Sequence, residues 1–207
     1  MRFNKSQLET TVILGGNKMC LPIRNSYWVI PGKFIAGEYP RSQDVRNYEE
    51  YPYSMKSMIS MEKLTGLVES GVTCFMDLTD PEEHESYAES LYEFNNRELV
   101  YQRFPIVDGY IPGKAQMRNI LDAIQYNLNE NRKIYLHCWG GIGRTGTVVG
   151  CWLAEQSGDG FAGLLALKEM WLTCPKSVRR QSPENFVQEH YIVKWTNRLT
   201  YGLQYAL

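Results

Sequence analysis

The sequence lacks several features that would assign it to a membrane, nucleic-acid-binding or metal-binding class. No apolar run among the 207 residues approaches the roughly 18 that a membrane-spanning helix requires, and no signal-peptide pattern opens the chain. The 22 basic residues are balanced by 23 acidic ones and form no basic stripe, which disfavours a nucleic-acid partner. The cysteines are five in number, without paired metal-site spacing: Cys20, Cys74, Cys138, Cys151 and Cys174. We therefore expect a cytoplasmic protein that does not insert into a membrane and holds no metal or cofactor.

No internal repeat or low-complexity linker divides the chain. We therefore expect a single domain over residues 26–207, preceded by an arm or extension over residues 1–25. Short apolar runs over residues 27–30 and 34–36 predict two strands around Pro31-Gly32, and residues 117–128 predict an amphipathic helix. Because such strands alternate with helices along the chain, the fold class is α/β, with a mainly parallel central sheet flanked by helices.

Two further helices are predicted from their end signals and spacing. Residues 80–83, Asp-Pro-Glu-Glu, have the composition of a helix start, with an N-cap aspartate, a first-turn proline and acidic residues at the positive end of the helix dipole. A last helix is predicted from about Pro183, with one face formed by Val187, Tyr191, Trp195 and Leu199.

The most informative segment runs from His137 to Gly146, between a short predicted strand and an apolar helix that begins near Thr145. Its glycines permit unusual backbone angles, and successive amide N–H groups in such a loop form a cradle for an anion. Arg144 can donate to two phosphate oxygens at once. The predicted phosphate-binding residues are Trp139, Gly140, Gly141, Ile142, Gly143 and Arg144.

Cys138 stands at the floor of this predicted cradle. A helix N-terminus, inward N–H groups and a neighbouring arginine favour the thiolate, which is the nucleophilic form of cysteine. Thr145 is placed to donate its hydroxyl to the thiolate or to the leaving sulfur. A buried structural thiol beside an ordinary turn is the alternative, but it does not explain the spacing of Cys138, five residues, Arg144 and Thr-Gly.

The motif His137-Cys138-x5-Arg144-Thr145-Gly146 resembles the signature loop of protein tyrosine phosphatases, especially their compact dual-specificity branch. Residues 75–79 also resemble a strand that is common in bacterial members. The resemblance implies a two-step, metal-free reaction in which a phosphocysteine forms at Cys138 and water then hydrolyses it. A thiolate that its surroundings already favour needs no base, so we expect His137 to orient the loop by hydrogen bonding.

A phosphatase of this kind needs a carboxylic acid that protonates the leaving oxygen. Our candidate is Asp108, in the proline-bounded segment 104–112, which resembles the acid loop of the family. Asp108 could instead only shape a turn with Gly109. Asp77 is the second choice for the acid, and the weaker rivals are Asp80, Glu82 and Glu83. For the glutamine with which larger family members position water, Gln181 fits better by its position just before the last helix, and Gln188 is the alternative. Either is equally consistent with an ordinary surface residue.

The substrate is predicted by elimination. Residues 139–143 include no lysine or arginine, which disfavours polyanionic inositol phosphates, and the near-neutral chain disfavours RNA. A phosphorylated protein or peptide remains, with phosphotyrosine favoured, and Trp139, Ile142 and Tyr110 are predicted near the rim of the pocket. The alternatives are a phosphoinositide phosphatase, a non-catalytic phosphopeptide-binding module, and a sulfur-transfer or arsenate-reducing enzyme.

Overall fold

A computed structural model describes residues 11–14, 17–40, 53–83, 86–94 and 98–195. Within these residues the strands are Thr11–Leu14 (β1), Asn17–Cys20 (β2), Ser26–Ile30 (β3), Phe34–Gly37 (β4), Cys74–Asp77 (β5), Val100–Arg103 (β6) and Ile134–His137 (β7). The helices are Tyr53–Glu69 (α1), Ala88–Leu91 (α2), Lys114–Asn129 (α3), Gly143–Ser157 (α4), Gly160–Trp171 (α5) and Phe186–Val193 (α6), with a short 3-10 helix at Pro175–Val178. None of the helices described in these ranges is long and apolar enough to cross a membrane.

The central sheet has five strands in the order β3-β4-β7-β5-β6. The pair β3 and β4 is antiparallel around the Pro31-Gly32 turn, and every other pair is parallel. This confirms the predicted α/β class with a mainly parallel sheet flanked by helices. The strands β1 and β2 pair with each other as a separate antiparallel hairpin.

Each face of the central sheet is covered by its own apolar cluster. Ile134 and Leu136 of β7 pack with residues of α3, α4, α5 and α6, whereas Tyr135 between them packs with residues of α1 on the opposite face. This alternation follows from the two-residue period of strand side chains. Because β4, β5 and β7 are buried along their whole length, helices must cover both faces.

The parallel register brings the carboxyl ends of four strands to one edge of the sheet. His137 at the end of β7 is in register with Gly37 of β4 and with Asp77 of β5, and Asp77 is in register with Arg103 of β6. The segments that follow these strands therefore lie side by side, which is where open α/β sheets bind ligands. The loop of Cys138 is the central one of these segments.

The predicted helix start at residues 80–83 is wrong, because this segment forms a turn. Asp80 caps the turn as its carboxylate accepts the Glu82 N–H at 2.9 Å, and its carbonyl accepts the Glu83 N–H at 3.0 Å. Arg103 also donates to the Asp80 carbonyl at 3.0 Å, and the Glu83 carboxylate reaches Arg144. These tertiary contacts override the local helix signal, and α2 begins only at Ala88.

The last helix begins at Phe186 rather than near Pro183, because Asn185 is its N-cap and accepts the Gln188 N–H at 3.0 Å. The predicted face is only partly correct. Val187 is 56% exposed, whereas Gln188 and Ile192 are buried, so the buried face is rotated from the predicted one. Trp195, just after the helix, is buried as predicted. Leu199 lies outside the described residues.

Candidate active site

Cys138 follows the last residue of β7, and α4 begins five residues later at Gly143. The Cys138 residue is 3% exposed and Arg144 is 1% exposed, so the cysteine and the arginine lie deep in the loop. The first N–H groups of a helix have no intrahelical partner, so the start of α4 adds donors to those of the loop. Among the described residues, the N–H groups of Gly140, Gly141 and Ile142 bind no acceptor.

The carbonyls of the loop are held from outside by other parts of the chain. The Tyr39 N–H donates to the Trp139 carbonyl at 2.9 Å, and the Lys176 ammonium donates to the Gly140 carbonyl at 2.9 Å. In a trans peptide the carbonyl and the following N–H point in opposite directions. Each tether therefore turns the next N–H, that of Gly140 and that of Gly141, away from the surrounding protein and towards the site.

Two more tethers act in the same way at the ends of the loop. His137 Nδ1 lies 3.1 Å from the Cys138 carbonyl, and the Ser182 hydroxyl donates to the Ile142 carbonyl at 2.8 Å. They orient the N–H groups of Trp139 and Gly143 towards the site. The loop is therefore an array of amide donors fixed by its surroundings, which is the arrangement that binds a tetrahedral anion.

His137 is buried, and its ring is bound at both nitrogens. Nδ1 faces the Cys138 carbonyl, and Nε2 lies 2.6 Å from the Tyr87 hydroxyl. Burial lowers the pKa of His137, although the Asp77 carboxylate opposes this. A neutral ring that donates from Nδ1 and accepts at Nε2 satisfies both contacts. His137 therefore orients the loop and is not placed as a base for Cys138.

Gly141 is the loop residue that tolerates least change. Its φ is +71°, and an added Cβ would lie 2.5 Å from the Gly37 carbonyl oxygen and 2.6 Å from the Glu38 nitrogen. Both neighbours are backbone atoms that follow or end β4, so they cannot move aside without shifting the sheet edge. An added Cβ at Gly140 would only touch the Ile142 side chain at 3.5 Å.

Substitution of these two glycines is expected to give opposite results. Gly141→Ala should lower the free energy of unfolding by about 3 kcal/mol and weaken tungstate binding, because the residue is both strained and in contact with backbone. Gly140→Ala, the matched control, should change that free energy by less than about 1 kcal/mol. Urea unfolding measures the free energy of unfolding, and calorimetric titration measures the binding of tungstate, a tetrahedral oxyanion like phosphate. Equal effects of the two substitutions would contradict the described loop geometry.

Arg144 has a guanidinium whose donors are divided between two sides. Nη1 donates to both carboxylate oxygens of Glu83 at 2.9 Å and to the Ile106 carbonyl at 2.9 Å. Nη2 is paired with the Asp108 carboxylate at 2.7 Å, and Nε is buried without a partner among the described residues. Burial lowers the pKa of Arg144, but Cys138, Glu83 and Asp108 together raise it. Nε and Nη2 are therefore the donors of the guanidinium that Glu83 does not occupy.

Asp108 is 72% exposed in a segment that is fixed on either side. Ile106 before it is held by its own N–H, which donates to the Leu78 carbonyl at 3.1 Å. Gly109 after it accepts from the Asn185 side chain at 3.1 Å. The carboxylate of Asp108 thus lies beside the edge of the Arg144 guanidinium that Glu83 does not occupy, and most of it is exposed to solvent.

The rival acids occupy different environments. Asp77 is buried in β5 and accepts from the Thr79 N–H at 2.8 Å and from the Tyr101 hydroxyl at 2.7 Å. Burial raises the pKa of Asp77, but His137 and these hydrogen bonds lower it overall, so the group stays an acceptor. Asp80 caps its turn, and Glu82 is exposed. Among the candidate acids, Asp108 and Glu83 are the two that contact Arg144. No spacing in the sequence indicates that Glu83 binds Arg144.

The hydroxyl of Thr145 is without a hydrogen-bond partner among the described residues. It is buried and does not donate to the Cys138 sulfur.

The two candidate glutamines differ in their surroundings. Gln181 is exposed. Gln188 is buried, accepts the Glu184 N–H at 3.1 Å and donates to the Tyr110 carbonyl at 3.4 Å. The start of α4 is adjacent, since a Cβ on its first residue would lie 3.0 Å from Gln188 Nε2. Gln188 is thus beside both the acid segment and the first residue of α4.

The three side chains that the sequence predicts near the rim differ in their exposure. Trp139 is 38% exposed and packs on the Tyr39 ring with centroids 5.4 Å apart, and Tyr110 is also exposed. The prediction is wrong for the side chain of Ile142, which is buried in the apolar core. Because that side chain anchors the loop, Ile142 can face a ligand only through its backbone.

The other described buried cysteines differ from Cys138 in their surroundings. Burial raises the pKa of Cys74 to about 12 and that of Cys174 to about 11, and it also raises the pKa of Cys151. Those thiols stay protonated near neutral pH and are poor nucleophiles. Within the described ranges, no group of three or more histidine, cysteine, aspartate or glutamate side chains is arranged to hold a metal ion.

Comparison with known proteins agrees with this geometry. Residues 52–158 match a family model described as "Polymorphic toxin system, DSP-PTPase phosphatase". A protein of Invertebrate iridescent virus 3 named as a tyrosine phosphatase is 34% identical over 99 residues, which cover 46% of this chain and 39% of the viral protein. The human dual specificity protein phosphatase CDC14A is 26% identical over 132 residues, which cover 62% of this chain and 19% of the human protein.

These curated relatives are thus matched over less than half of their own length. Among solved structures, the active form of Tk-PTP superimposes with a TM-score of 0.56 at 21% identity, over 81% of this chain and 93% of that one. That likeness shows a shared fold. Since the family model spans more than half of the chain, including the Cys138 loop, the chain belongs to the DSP-PTPase phosphatase family of polymorphic toxin systems, within the cysteine-dependent tyrosine phosphatase superfamily.

Proposed function

We propose that the chain is a protein phosphatase of the dual-specificity type, which hydrolyses phosphate monoesters with Cys138 as nucleophile. The observation that carries this proposal is the orientation of the loop around Cys138. Its carbonyls are tied outward, and Arg144 keeps Nε and Nη2 on the side away from Glu83. A phosphate bound by the N–H groups of residues 139–143 and by Arg144 would have its phosphorus next to the Cys138 sulfur.

In the first step the Cys138 thiolate attacks phosphorus, so that an S–P bond forms and the P–O bond to the leaving group breaks. Asp108, as a carboxylic acid, gives its proton to the leaving oxygen. In the second step water attacks phosphorus, the S–P bond breaks, and the Asp108 carboxylate takes the proton of the water. The products are the free hydroxyl compound and inorganic phosphate, and no cofactor takes part.

The ion pair between Asp108 and Arg144 describes the ligand-free site. A bound phosphate would take Nη2, so Asp108 would leave it, take up a proton from solvent and turn towards the leaving oxygen. Thr145 would then have the thiolate, or the sulfur that leaves in the second step, as an acceptor for its free hydroxyl. The water-positioning role is proposed for Gln188 rather than Gln181, because Gln188 contacts the acid segment.

Several features support a phosphorylated protein or peptide as the substrate. Residues 139–143 include no basic side chain, and the cysteine is recessed to 3% exposure, which suits a long phosphotyrosine side chain. Trp139, Val107 and Tyr110 are exposed at or near the rim and could contact its ring. We further propose that residues 26–207 form the catalytic domain, with residues 1–25 as an extension, and that the protein acts in the cytoplasm.

A panel of substrates tests this proposal. We expect kcat/KM to be at least about 10-fold higher for a phosphotyrosine peptide than for the same peptide with phosphoserine or phosphothreonine, because only the longer side chain reaches the sulfur readily. A soluble phosphoinositide should be hydrolysed more slowly still. Faster hydrolysis of the phosphoinositide would assign the enzyme to lipids. Binding of all phosphopeptides without hydrolysis would favour a non-catalytic module.

A further inference from the structure

One peptide of the loop joins two glycines, Gly140 and Gly141. Two consecutive glycines place few steric limits on rotation of this peptide, and rotation would turn its N–H away from the site and replace it by a carbonyl. A carbonyl facing a phosphate oxygen would be repulsive. The binding orientation therefore needs a contact that holds the Gly140 carbonyl outward.

That contact comes from Lys176, which is 36 residues away in the chain and lies in the 3-10 helix. Its ammonium donates to the Gly140 carbonyl at 2.9 Å and is paired with the Glu38 carboxylate at 2.7 Å. A charged donor makes a stronger hydrogen bond than a neutral one. The side chain of Lys176 is 26% exposed, so solvent screens it only in part.

Glu38 keeps Lys176 in this position. The carboxylate is buried and accepts from Lys63 at 2.8 Å and from the Asn25 amide at 3.0 Å. Burial raises the pKa of Glu38, but Lys176 and Lys63 lower it overall, so the carboxylate is charged at neutral pH. Glu38 directly follows β4, the strand next to β7, so the anchor of Lys176 is built on the sheet itself.

We propose that Lys176, held by Glu38, is a positioning residue that locks the Gly140–Gly141 peptide with its N–H directed at the bound phosphate. This inference rests on the proposed function, since it concerns the same anion cradle. Lys176 acts through the loop and does not itself contact the substrate. Its loss should therefore weaken the binding of any tetrahedral oxyanion, whether or not a reaction follows.

Calorimetric titration with sodium tungstate and hydrolysis of an aryl phosphate test the proposal together. Lys176→Met should weaken tungstate binding about 10-fold, because the binding orientation of one amide is no longer fixed by a charged hydrogen bond. Lys176→Arg should restore binding to within about 3-fold of wild type. Lys63→Met removes the same charge from the other oxygen of Glu38, and this matched control should stay within about 2-fold.

Glu38→Gln separates positioning from direct attraction of the anion. It leaves the charge of Lys176 in place but loosens its anchor, so the proposal predicts weaker tungstate binding. A lysine that bound phosphate directly would instead bind it as well or better once the carboxylate is removed. Thermal unfolding identifies a variant that fails to fold. If Glu38→Gln fails to fold, Lys176→Met still decides the test, because Lys176 is only partly buried.

Wild-type tungstate affinity in Lys176→Met, or an equal loss in Lys63→Met, would overturn the inference. The proposed function has its own readout in the same experiment, because wild-type protein that neither binds tungstate nor hydrolyses the aryl phosphate would overturn both. Tight wild-type binding with an unaffected Lys176→Met variant would overturn only the role of Lys176.

Discussion

Cys138→Ser is expected to lower aryl phosphate hydrolysis by about 10⁴-fold or more, to the background rate. A serine hydroxyl is not ionised in this loop, so it supplies no nucleophile in place of the thiolate. The loop tethers at residues 139, 140 and 142 do not involve the sulfur. We therefore expect tungstate binding to survive within about 3-fold, which separates loss of chemistry from loss of the site.

Cys174→Ser is the matched control for this substitution. Cys174 is also buried, but burial raises its pKa to about 11, and it contributes no group to the loop. The turnover number of Cys174→Ser should therefore stay close to the wild-type value. Undiminished hydrolysis by Cys138→Ser would exclude the proposed mechanism outright.

Asp108→Asn is expected to lower kcat for a phosphotyrosine peptide by roughly 10²–10⁴-fold, since the leaving phenolate is no longer protonated. The loss should be smaller for an aryl phosphate with an acidic phenol, which departs as an anion without help. Initial rates across a series of aryl phosphates measure this dependence on the leaving group. Because Asp108 occupies Arg144 Nη2 in the ligand-free site, its replacement should also tighten tungstate binding.

Asp122→Asn is a suitable control, because Asp122 is a similarly exposed carboxylate that lies on α3 and pairs with Arg118. It should change neither kcat nor the leaving-group dependence. A uniform loss across the aryl phosphate series in Asp108→Asn would show that Asp108 positions Arg144 and is not the acid. Glu83, which binds Arg144 through both carboxylate oxygens, would then be the next candidate for the acid.

The fold and the loop were largely predictable because their signals are local. The apolar strand of residues 134–137, the glycines after Cys138 and the helix that starts at Gly143 adjoin one another in the chain. The alternation of strands and helices was enough for a mainly parallel sheet, and that sheet is observed. Asp108 was predicted from the prolines and glycine around it and from the resemblance of its segment to the acid loop of the family, and its carboxylate lies at Arg144.

The contacts that hold the site could not be predicted, because they join distant parts of the chain. Glu83 is 61 residues from Arg144, and Ser182 is 40 residues from the carbonyl it holds. Tertiary contacts also explain the errors, since Glu83 belongs to a turn directed at Arg144 and not to a helix. Position in the sequence favoured Gln181 for the water-positioning role, and we prefer Gln188 only because it is buried and contacts the acid segment.

If Cys138 carries the phosphoryl group during turnover, rapid acid quench with peptide mapping should detect a phosphocysteine at this residue. Asp108→Asn should be used with a radiolabelled aryl phosphate that has an acidic leaving group. The first step then needs no acid, but the second lacks its base, so the intermediate should accumulate. We expect label on the peptide that contains Cys138, and no label when Cys138→Ser is added to the same variant. Turnover by the wild-type enzyme with label on another residue, or without any labelled protein in either enzyme, would contradict this expectation.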